Sequence, residues 1–279
     1  MRPARRRTFA RVIALAFLLL AGSDSRTLGG PPAARSGGVH ALFDLAAPTT
    51  GPFPSDWFTV PDRSQNTRRR VNVPMPDCAG RPSDCQDLAV INTLDGFNFQ
   101  PRLSVPFDGS IDLTTVTSDT VFLIRLGRWS CAGEDRGDDW CADSSSDDVG
   151  RVIGIDQVVW DPPTKTLHVE SGEFLDQHRR YALIVTRGIR DEDGRDVEPS
   201  ETFRRFRQVV RGDYQHALVA AIQAAERIGV RERDIVTASV FTTQSTTAIL
   251  EKIRDQVKAA TPDPADFLLG LHGTRTVFP

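Results

Sequence analysis

The sequence lacks the pattern that carries a nucleophilic serine. No G-x-S-x-G pentapeptide, the strained turn that exposes such a serine, occurs among its 279 residues. The dipeptide His272-Gly273 is similar to part of an oxyanion loop, but one dipeptide is more typical of an ordinary loop. No histidine is spaced with a carboxylate or a second histidine as a metal pair would be; the five are His40, His168, His178, His216 and His272. We therefore predict no catalytic, cofactor-binding or metal-binding residue in this chain.

Long apolar runs are also missing, apart from one near the N-terminus. Residues 12–21 form this run, which is about half the length that a helix needs to cross a bilayer. Five arginines precede the run, and the small residues Ala21, Gly22 and Ser23 follow it. This order is typical of an export signal, so we predict that residues 1–23 direct the protein out of the cytoplasm. An uncleaved membrane anchor is the alternative.

An excess of positive charge is absent as well. The chain has 34 basic and 37 acidic residues, and five of the basic residues lie in the predicted signal. The mature chain would therefore carry 29 basic residues against 37 acidic ones, a net charge of -8. Because nucleic-acid binding needs clustered cations, no nucleic-acid partner is expected. We expect an extracellular, periplasmic or cell-surface protein with no transmembrane segment after signal removal.

Cysteine is scarce, with four residues in two local pairs: Cys78 with Cys85, and Cys131 with Cys141. An even number of cysteines in an exported chain predicts disulfide bonds. Of the three possible connectivities, we favour the two local pairs because they bring the least chain together. The spacings do not match the C-x₂-C pairs of zinc sites.

Two acidic clusters leave calcium binding open as an alternative. Calcium takes six to eight oxygen ligands, which loops rich in Asp and Gly supply. Neither cluster completes an EF-hand, and the second, residues 191–196, is more simply a hairpin turn. The first consists of Asp135, Asp138, Asp139, Asp143, Asp147 and Asp148.

The middle of the chain has the pattern of a β protein. Residues 24–41 are rich in Gly, Pro, Ser and Ala and predict a flexible leader. Between residues 42 and 205, short apolar runs alternate with turn residues, which predicts an Ig-like β-sandwich domain. The predicted strands cover residues 88–93, 103–105, 120–126, 158–160, 167–170 and 181–186.

The pattern changes after residue 205. Apolar residues now recur three and four positions apart, which is typical of helices with one buried face. We predict a mainly β fold followed by a helix–strand–helix extension, residues 206–279, that leads into a further part and is expected to be truncated. The predicted elements are helices over 203–210, 214–225 and 248–260, a strand over 234–243, and a helix-ending glycine at Gly229.

Several short motifs resemble the N-terminal domain of bacterial virulence-factor lipases. The resemblance covers roughly residues 42–260, although Leu45 follows Phe43 and Asp44 where the family has a proline. In that family, this exported region precedes a catalytic α/β-hydrolase part. The part with the nucleophile elbow is absent here, so the resemblance carries over no catalytic residue. The motifs are G-P-F-P-S-D at 51–56, N-T-L-D-G-F at 92–97, V-P-F at 105–107 and F-T-T-Q-S at 241–245.

The resemblance implies an exported, non-catalytic module that supports or positions a hydrolase part. The alternative is a stand-alone Ig-like module that binds a cell-surface glycan or protein. In that case the four tryptophans could form a sugar-stacking face, although tryptophan is more often a core residue; they are Trp57, Trp129, Trp140 and Trp160. A complete enzyme with an unfamiliar site is a third hypothesis.

Overall fold

The structure, a computed structural model, describes residues 37–127 and 149–261. The described residues from 38 onward belong to one compact unit. The described strands are β1 His40–Ala41, β2 Thr59–Pro61, β3 Arg69–Val71, β4 Arg102–Pro106, β5 Ile111–Asp112, β6 Val121–Gly127, β7 Val152–Ile153, β8 Ile155–Asp161, β9 Thr166–Ser171, β10 Arg180–Thr186, β11 Arg190–Asp191, β12 Glu198–Pro199 and β13 Ile235–Thr242. The α-helices are α1 Pro82–Ile91, α2 Glu201–Arg204, α3 Phe206–Val209, α4 Asp213–Arg227 and α5 Ala248–Ala259.

Two antiparallel sheets form the body of the protein. The larger has the strand order β13-β10-β6-β7, and the smaller has the order β4-β9-β8. In the larger sheet β10 is central, so that Leu183 pairs with Leu123 of β6 on one side and with Ser239 of β13 on the other. Three further pairs, β1-β12, β5-β11 and β2-β3, form two-stranded sheets around this body.

The larger sheet is buried on both faces, because successive residues of a strand point to opposite sides. On β6, Val121 and Leu123 contribute to a core shared with the smaller sheet, which supplies Leu103 and Leu167. The next residue of β6, Phe122, belongs to a second core on the opposite face. This explains the nearly continuous apolar runs in β6, β10 and β13, which are typical of strands covered on both sides.

Helices α2, α3 and α4 cover the outer face of the larger sheet. The apolar stripe of α4 packs there through Tyr214, Leu218 and Ile222, which are all buried. The helix ends where Gly229 takes a φ of 94°, a conformation that favours glycine. The protein is thus a layer of helices, a four-stranded sheet and a three-stranded sheet.

The prediction of a mainly β fold is confirmed, but these five sheets do not show a clear Ig sandwich. The helix–strand–helix order after residue 205 is also present, as α4, β13 and α5. The predicted boundary between 42–205 and 206–279 runs through one of the two cores, however. Because β13 pairs with β10 and α4 packs on the same sheet, the segment after residue 205 completes the fold that precedes it.

The strand predicted over residues 88–93 is wrong, because this segment belongs to α1 and the turn after it. Pro82 at the first helical turn favours a helix start, and a six-residue apolar run does not by itself distinguish strand from helix. The helix has no buried residue. It is joined to the preceding loop by a disulfide bond between Cys78 and Cys85, which confirms that predicted pair.

Several predictions fall on other parts of the chain. The export signal, residues 1–23, lies outside the described residues, as do Cys131 and Cys141. Of the predicted leader, residues 24–41, the last two form β1, which pairs in parallel with β12. Throughout the two described ranges, no helix combines the length and the apolar character that a membrane span requires.

Candidate functional site

Three of the motif segments meet at the C-terminal end of β13. Phe97 donates its backbone N–H to the carbonyl of Thr242 at 2.8 Å, and its own carbonyl accepts from the N–H of Gln244 at 2.7 Å. Asp56, from the first motif, reaches the same strand end. We call this meeting point, made by residues 53–58, 94–97 and 239–247, the exit junction, because the chain leaves the sheet there toward α5.

Asp56 connects the first motif, residues 51–56, to the end of β13 through hydrogen bonds. Its side chain is 3% exposed. One carboxylate oxygen accepts from the Thr242 backbone N–H at 2.8 Å, and the other accepts from the Thr242 hydroxyl at 2.7 Å. Asp56 opens a single 3-10 turn, Asp56–Phe58, and Ser55 caps that turn by accepting from the Trp57 N–H at 3.2 Å. The local cap thus sets the position from which the carboxylate reaches a strand far away in sequence.

A buried cation balances this carboxylate. Arg180, at the start of β10, is 1% exposed and interacts electrostatically with Asp56. Burial lowers the pKa of Arg180 to about 10, with Asp56 opposing the shift, so its guanidinium stays charged at neutral pH. Burial likewise raises the pKa of Asp56, while Arg69, Thr242 and Arg180 act to lower it. Both shifts show that desolvation is the dominant electrostatic effect at the junction.

Hydroxyl groups connect the junction to α4 and to the middle of β13. The Ser55 hydroxyl donates to the Tyr214 hydroxyl at 2.7 Å, and the Ser239 hydroxyl donates to the carbonyl of Pro54 at 2.6 Å. Burial raises the pKa of Tyr214, so its ring stays neutral at physiological pH. These bonds satisfy polar groups inside the core and hold the 53–58 segment between helix and sheet.

The second motif, residues 92–97, contacts the chain just after the end of β13. The Asp95 carboxylate accepts from the backbone N–H of Ser245 at 2.8 Å and also from its hydroxyl. A Cβ on the neighbouring Gly96 would lie 2.8 Å from the nitrogen of Gln244 and from the carbonyl oxygen of Thr242. Only glycine therefore permits this approach between two backbone segments.

The side chain of Gln177 fixes the start of α5. Its amide nitrogen donates to the Thr247 hydroxyl at 2.6 Å, and its amide oxygen accepts from the Thr247 N–H at 3.1 Å. The Thr247 hydroxyl also contacts the Glu251 carboxylate at 2.5 Å. The chain therefore leaves the body in a direction held by both Asp95 and Gln177.

One serine–histidine contact occurs on the smaller sheet. The Ser104 hydroxyl and His168 Nδ1 are 2.9 Å apart, as cross-strand neighbours on β4 and β9. Ser104 lies in extended backbone, and both its N–H and its carbonyl are bonded to Phe53. Burial, followed by the charge of Arg102, lowers the pKa of His168, against an opposing contribution from Asp161. The geometry is that of a cross-strand pair, without the strained turn that exposes a nucleophile.

The shifted pKa of His168 predicts a pH effect on stability. Because the folded state disfavours the charged ring, its contribution to stability is present above the usual pKa of 6.5 and is lost as pH falls below that value. We expect His168→Gln to show a smaller drop in urea midpoint between pH 7 and pH 5 than the wild type. His216→Gln, a change on the exposed face of α4, is the control and should keep the wild-type drop. An unchanged drop in His168→Gln would contradict this assignment.

The structure separates the remaining histidines. His40 contacts the Asp108 carboxylate at 2.9 Å, His178 lies in a turn with a φ of 57°, and His272 is outside the described residues. Within residues 37–127 and 149–261, no three His, Cys, Asp or Glu side chains are placed to hold a metal ion.

The second acidic cluster is an ordinary turn. The Asp191 carboxylate accepts from the backbone N–H groups of Asp193 and Arg195 at 3.0 and 2.9 Å, and from the Arg195 side chain at 2.9 Å. These donors occupy the oxygens that a calcium site would need. The first acidic cluster, Asp135 to Asp148, lies outside the described residues.

The two described tryptophans have different environments. Trp57 is 40% exposed, with its ring 5.9 Å from that of Tyr214. Trp160 is partly buried against the core and lies 6.1 Å from Phe107. Trp129 and Trp140 fall outside the described residues. Trp160 therefore contributes to packing, which is the more common role of tryptophan.

No family model matches this chain. No curated protein matches it either. Among solved structures, domains 1–6 of surface layer protein SbsC align with 13% identity and a TM-score of 0.25, over 45% of this chain and 16% of that chain. The N-terminal part of the bacterial S-layer protein SbsC aligns with 14% identity and a TM-score of 0.24, over 46% and 28%. The chain thus covers less than a third of either structure, and likeness at this level carries no argument about fold or function.

Sequence reasoning did not find the residues that complete the exit junction. Arg180, Tyr214 and Gln177 lie outside every motif, and each acts on a residue distant along the chain. An arginine directly before the apolar run of β10 was the available signal, because an arginine next to a buried strand needs a counter-charge.

Proposed function

We propose that this chain is an exported, non-catalytic N-terminal module of a lipase- or esterase-like protein, and that it positions the hydrolase part that follows such modules. The exit junction is the observation that carries this proposal. A module that positions another part must hold the connecting chain in one direction. Here three of the four segments that resemble the lipase family converge on that connection rather than on an open cleft.

The construction of β13 supports a positioning role. All eight of its residues are buried, and its last residue, Thr242, is held through both its backbone N–H and its hydroxyl by Asp56. Past the strand end, Ser245 and Thr247 are held by Asp95 and Gln177. The chain therefore remains fixed for five residues after the sheet ends, which limits rotation of whatever follows.

The chemistry of the junction supports a non-catalytic role. The ionisable groups in and against the junction, Asp56, Asp95, Arg180 and Tyr214, are all under 10% exposed, so a substrate would have no access to them. The hydrogen bonds of Asp56 and Tyr214 are made to other residues of the fold. A reaction centre instead needs a nucleophile, a base and an orienting group around open space.

Export is supported by the Cys78–Cys85 disulfide. Such bonds persist in oxidising compartments and are rare in the cytosol. Together with the signal-like residues 1–23, this favours an extracellular, periplasmic or cell-surface location.

The proposal predicts that the purified chain does not hydrolyse esters. Short- and long-chain p-nitrophenyl esters should show no turnover above buffer, because the described residues present no nucleophile on a strained turn. Ser104→Ala is the matched variant, since Ser104 and His168 are the one serine–histidine pair that the described hydrogen bonds contain. Turnover that disappears in Ser104→Ala, or with a serine-directed inhibitor, would overturn the non-catalytic assignment.

The alternative, a module that binds surface glycans or proteins, has narrower support. Trp57 offers an exposed ring, but Trp160 is taken up by core packing. A glycan array distinguishes the two functions, because binding that is lost in Trp57→Ala would favour the alternative.

A further inference from the structure

Helix α1 lies on the surface of the protein and has little burial to stabilise it. None of its ten residues is buried, and Leu88 packs against the core from a partly buried position. The residue before the helix, Arg81, makes no side-chain hydrogen bond to cap the first turn. Because the first turn of a helix is costly to form and short helices are marginal in water, α1 needs support other than burial.

The Cys78–Cys85 disulfide supplies this support at the start of the helix. Cys85 belongs to α1 and Cys78 to the loop before it, so the bond closes a short ring around the first turn. Within this ring, the N–H of Cys85 donates to the carbonyl of Arg81 at 3.2 Å. The covalent closure thus offsets part of the entropy that is lost when the first turn forms.

The other end of α1 is held to the body by hydrogen bonds. The side-chain amide of Asn92, directly after the helix, donates to the Val73 carbonyl at 2.9 Å and accepts from the Val73 N–H at 2.8 Å. The Arg70 guanidinium donates to the Asn92 carbonyl at 2.9 Å. Because Val73 is buried, these bonds attach Asn92 to the core, and they do not depend on the disulfide.

We propose that the Cys78–Cys85 disulfide is a redox switch that keeps α1 folded when oxidised and releases it when reduced. A dithiol reductant forms a mixed disulfide with one cysteine, and its second thiol then displaces that cysteine, so that the reductant leaves as a disulfide. The two electrons and two protons that the dithiol loses end on Cys78 and Cys85 as thiols. Cys78 is exposed, which gives a reductant access to the bond. The inference does not depend on the proposed function.

The hydrogen bonds after α1 limit how far the release extends. The Val71 N–H donates to the Leu94 carbonyl at 2.8 Å, and Phe97 is bonded through its N–H and its carbonyl to residues 242 and 244. Together with the Asn92 side chain, these bonds separate α1 from the exit junction, which begins at Leu94. Reduction would therefore change the surface formed by residues 74–91 and leave the direction of the exiting chain as it is.

Amide hydrogen exchange on the full chain, with and without dithiothreitol, tests the switch. Reduction should raise exchange in α1 by at least about tenfold, because a ring of this size shifts the folding equilibrium by on the order of tenfold to a hundredfold. Exchange at Phe97, at Gln244 and in α4 should stay unchanged. Helix α5 is the matched internal control, since it also has no buried residue but contains no cysteine, and its exchange should not respond to the reductant.

The double variant Cys78→Ser, Cys85→Ser removes this disulfide alone and needs no reductant. Its untreated form should show the same rise in α1, and dithiothreitol should add nothing to it. Unchanged exchange in α1 in both experiments would overturn the switch. An equal rise in α1, α4 and β13 would also overturn it, because the disulfide would then stabilise the whole fold. So would a bond that mass spectrometry finds intact under dithiothreitol until the protein is unfolded in urea.

Discussion

Replacing Asp56 with alanine is expected to destabilise the protein by about 3–5 kcal/mol, the range typical of removing one partner from a buried charge pair. The substitution removes a buried charge that favours the charged form of Arg180, and it removes the two hydrogen bonds that Asp56 accepts from Thr242. Burial raises the pKa of Asp56, so the desolvation of its charged form outweighs the favourable interactions with Arg69, Thr242 and Arg180. The loss arises because groups that stay buried lose their interactions with the carboxylate. Urea unfolding at pH 7 measures it.

Two variants separate the charge from the hydrogen bonds. Thr242→Val keeps the carboxylate and removes one hydroxyl donor, so it should cost about 1 kcal/mol. Asp62→Ala removes a partly exposed surface carboxylate that accepts from Ser64, and its urea midpoint should stay close to that of the wild type. A loss in Asp56→Ala no larger than that in Thr242→Val would show that Arg180 does not depend on Asp56.

Local pattern predicted the elements whose apolar residues directly reflect which of their faces are buried. The apolar runs of β6 and β10 indicate strands covered on both faces, and the period in α4 indicates a helix with one buried face. In each case the side-chain pattern and the backbone geometry impose the same period. The same reasoning predicted α5. The helical spacing of its apolar residues indicates an apolar face, but it does not indicate what packs on that face.

The exit junction could not be predicted from the sequence in the same way. Asp56 and Thr242 are 186 residues apart, and nothing local to either residue indicates the other. The segments 51–56, 92–97 and 241–245 were identifiable as motifs through a family resemblance, but their convergence depends on the order of strands in the sheet. That order is set by contacts distant in sequence, as when α4 brings Tyr214 to Ser55.

The structure does not show a clear Ig sandwich, although the predicted mainly β fold is present, and the reason is related. Short strands with turns between them are common to many β architectures, and their spacing does not determine how they pair. Here β13, predicted as part of an appended segment, forms an edge of the larger sheet. The segment after residue 205 therefore belongs to the fold, and a truncation at that position would remove β13 together with α3 and α4.

Replacing Gly96 with alanine should destabilise the protein by about 2–3 kcal/mol, the cost of inserting a methyl group into a packed site whose neighbours cannot move freely. The new Cβ would meet three backbone atoms of residues 242–244 at 2.8 Å. Backbone held at both ends by Asp56 and Asp95 does not shift as a flexible side chain would. The strand end would have to separate from Phe97, breaking the two backbone hydrogen bonds between them.

Gly172→Ala is the matched control for this effect. Its Cβ would lie 3.4 Å from the nearest atom, the carbonyl oxygen of Gly154, which is ordinary contact. Its urea midpoint should therefore stay close to that of the wild type. Gly96→Ala should also raise amide exchange at Gln244 and Ser245 more than in the middle of β13, because the separation begins at the exit junction. An equal loss of stability in both glycine variants would contradict a specific need for close approach at Gly96, and with it the rigid exit on which the positioning role depends.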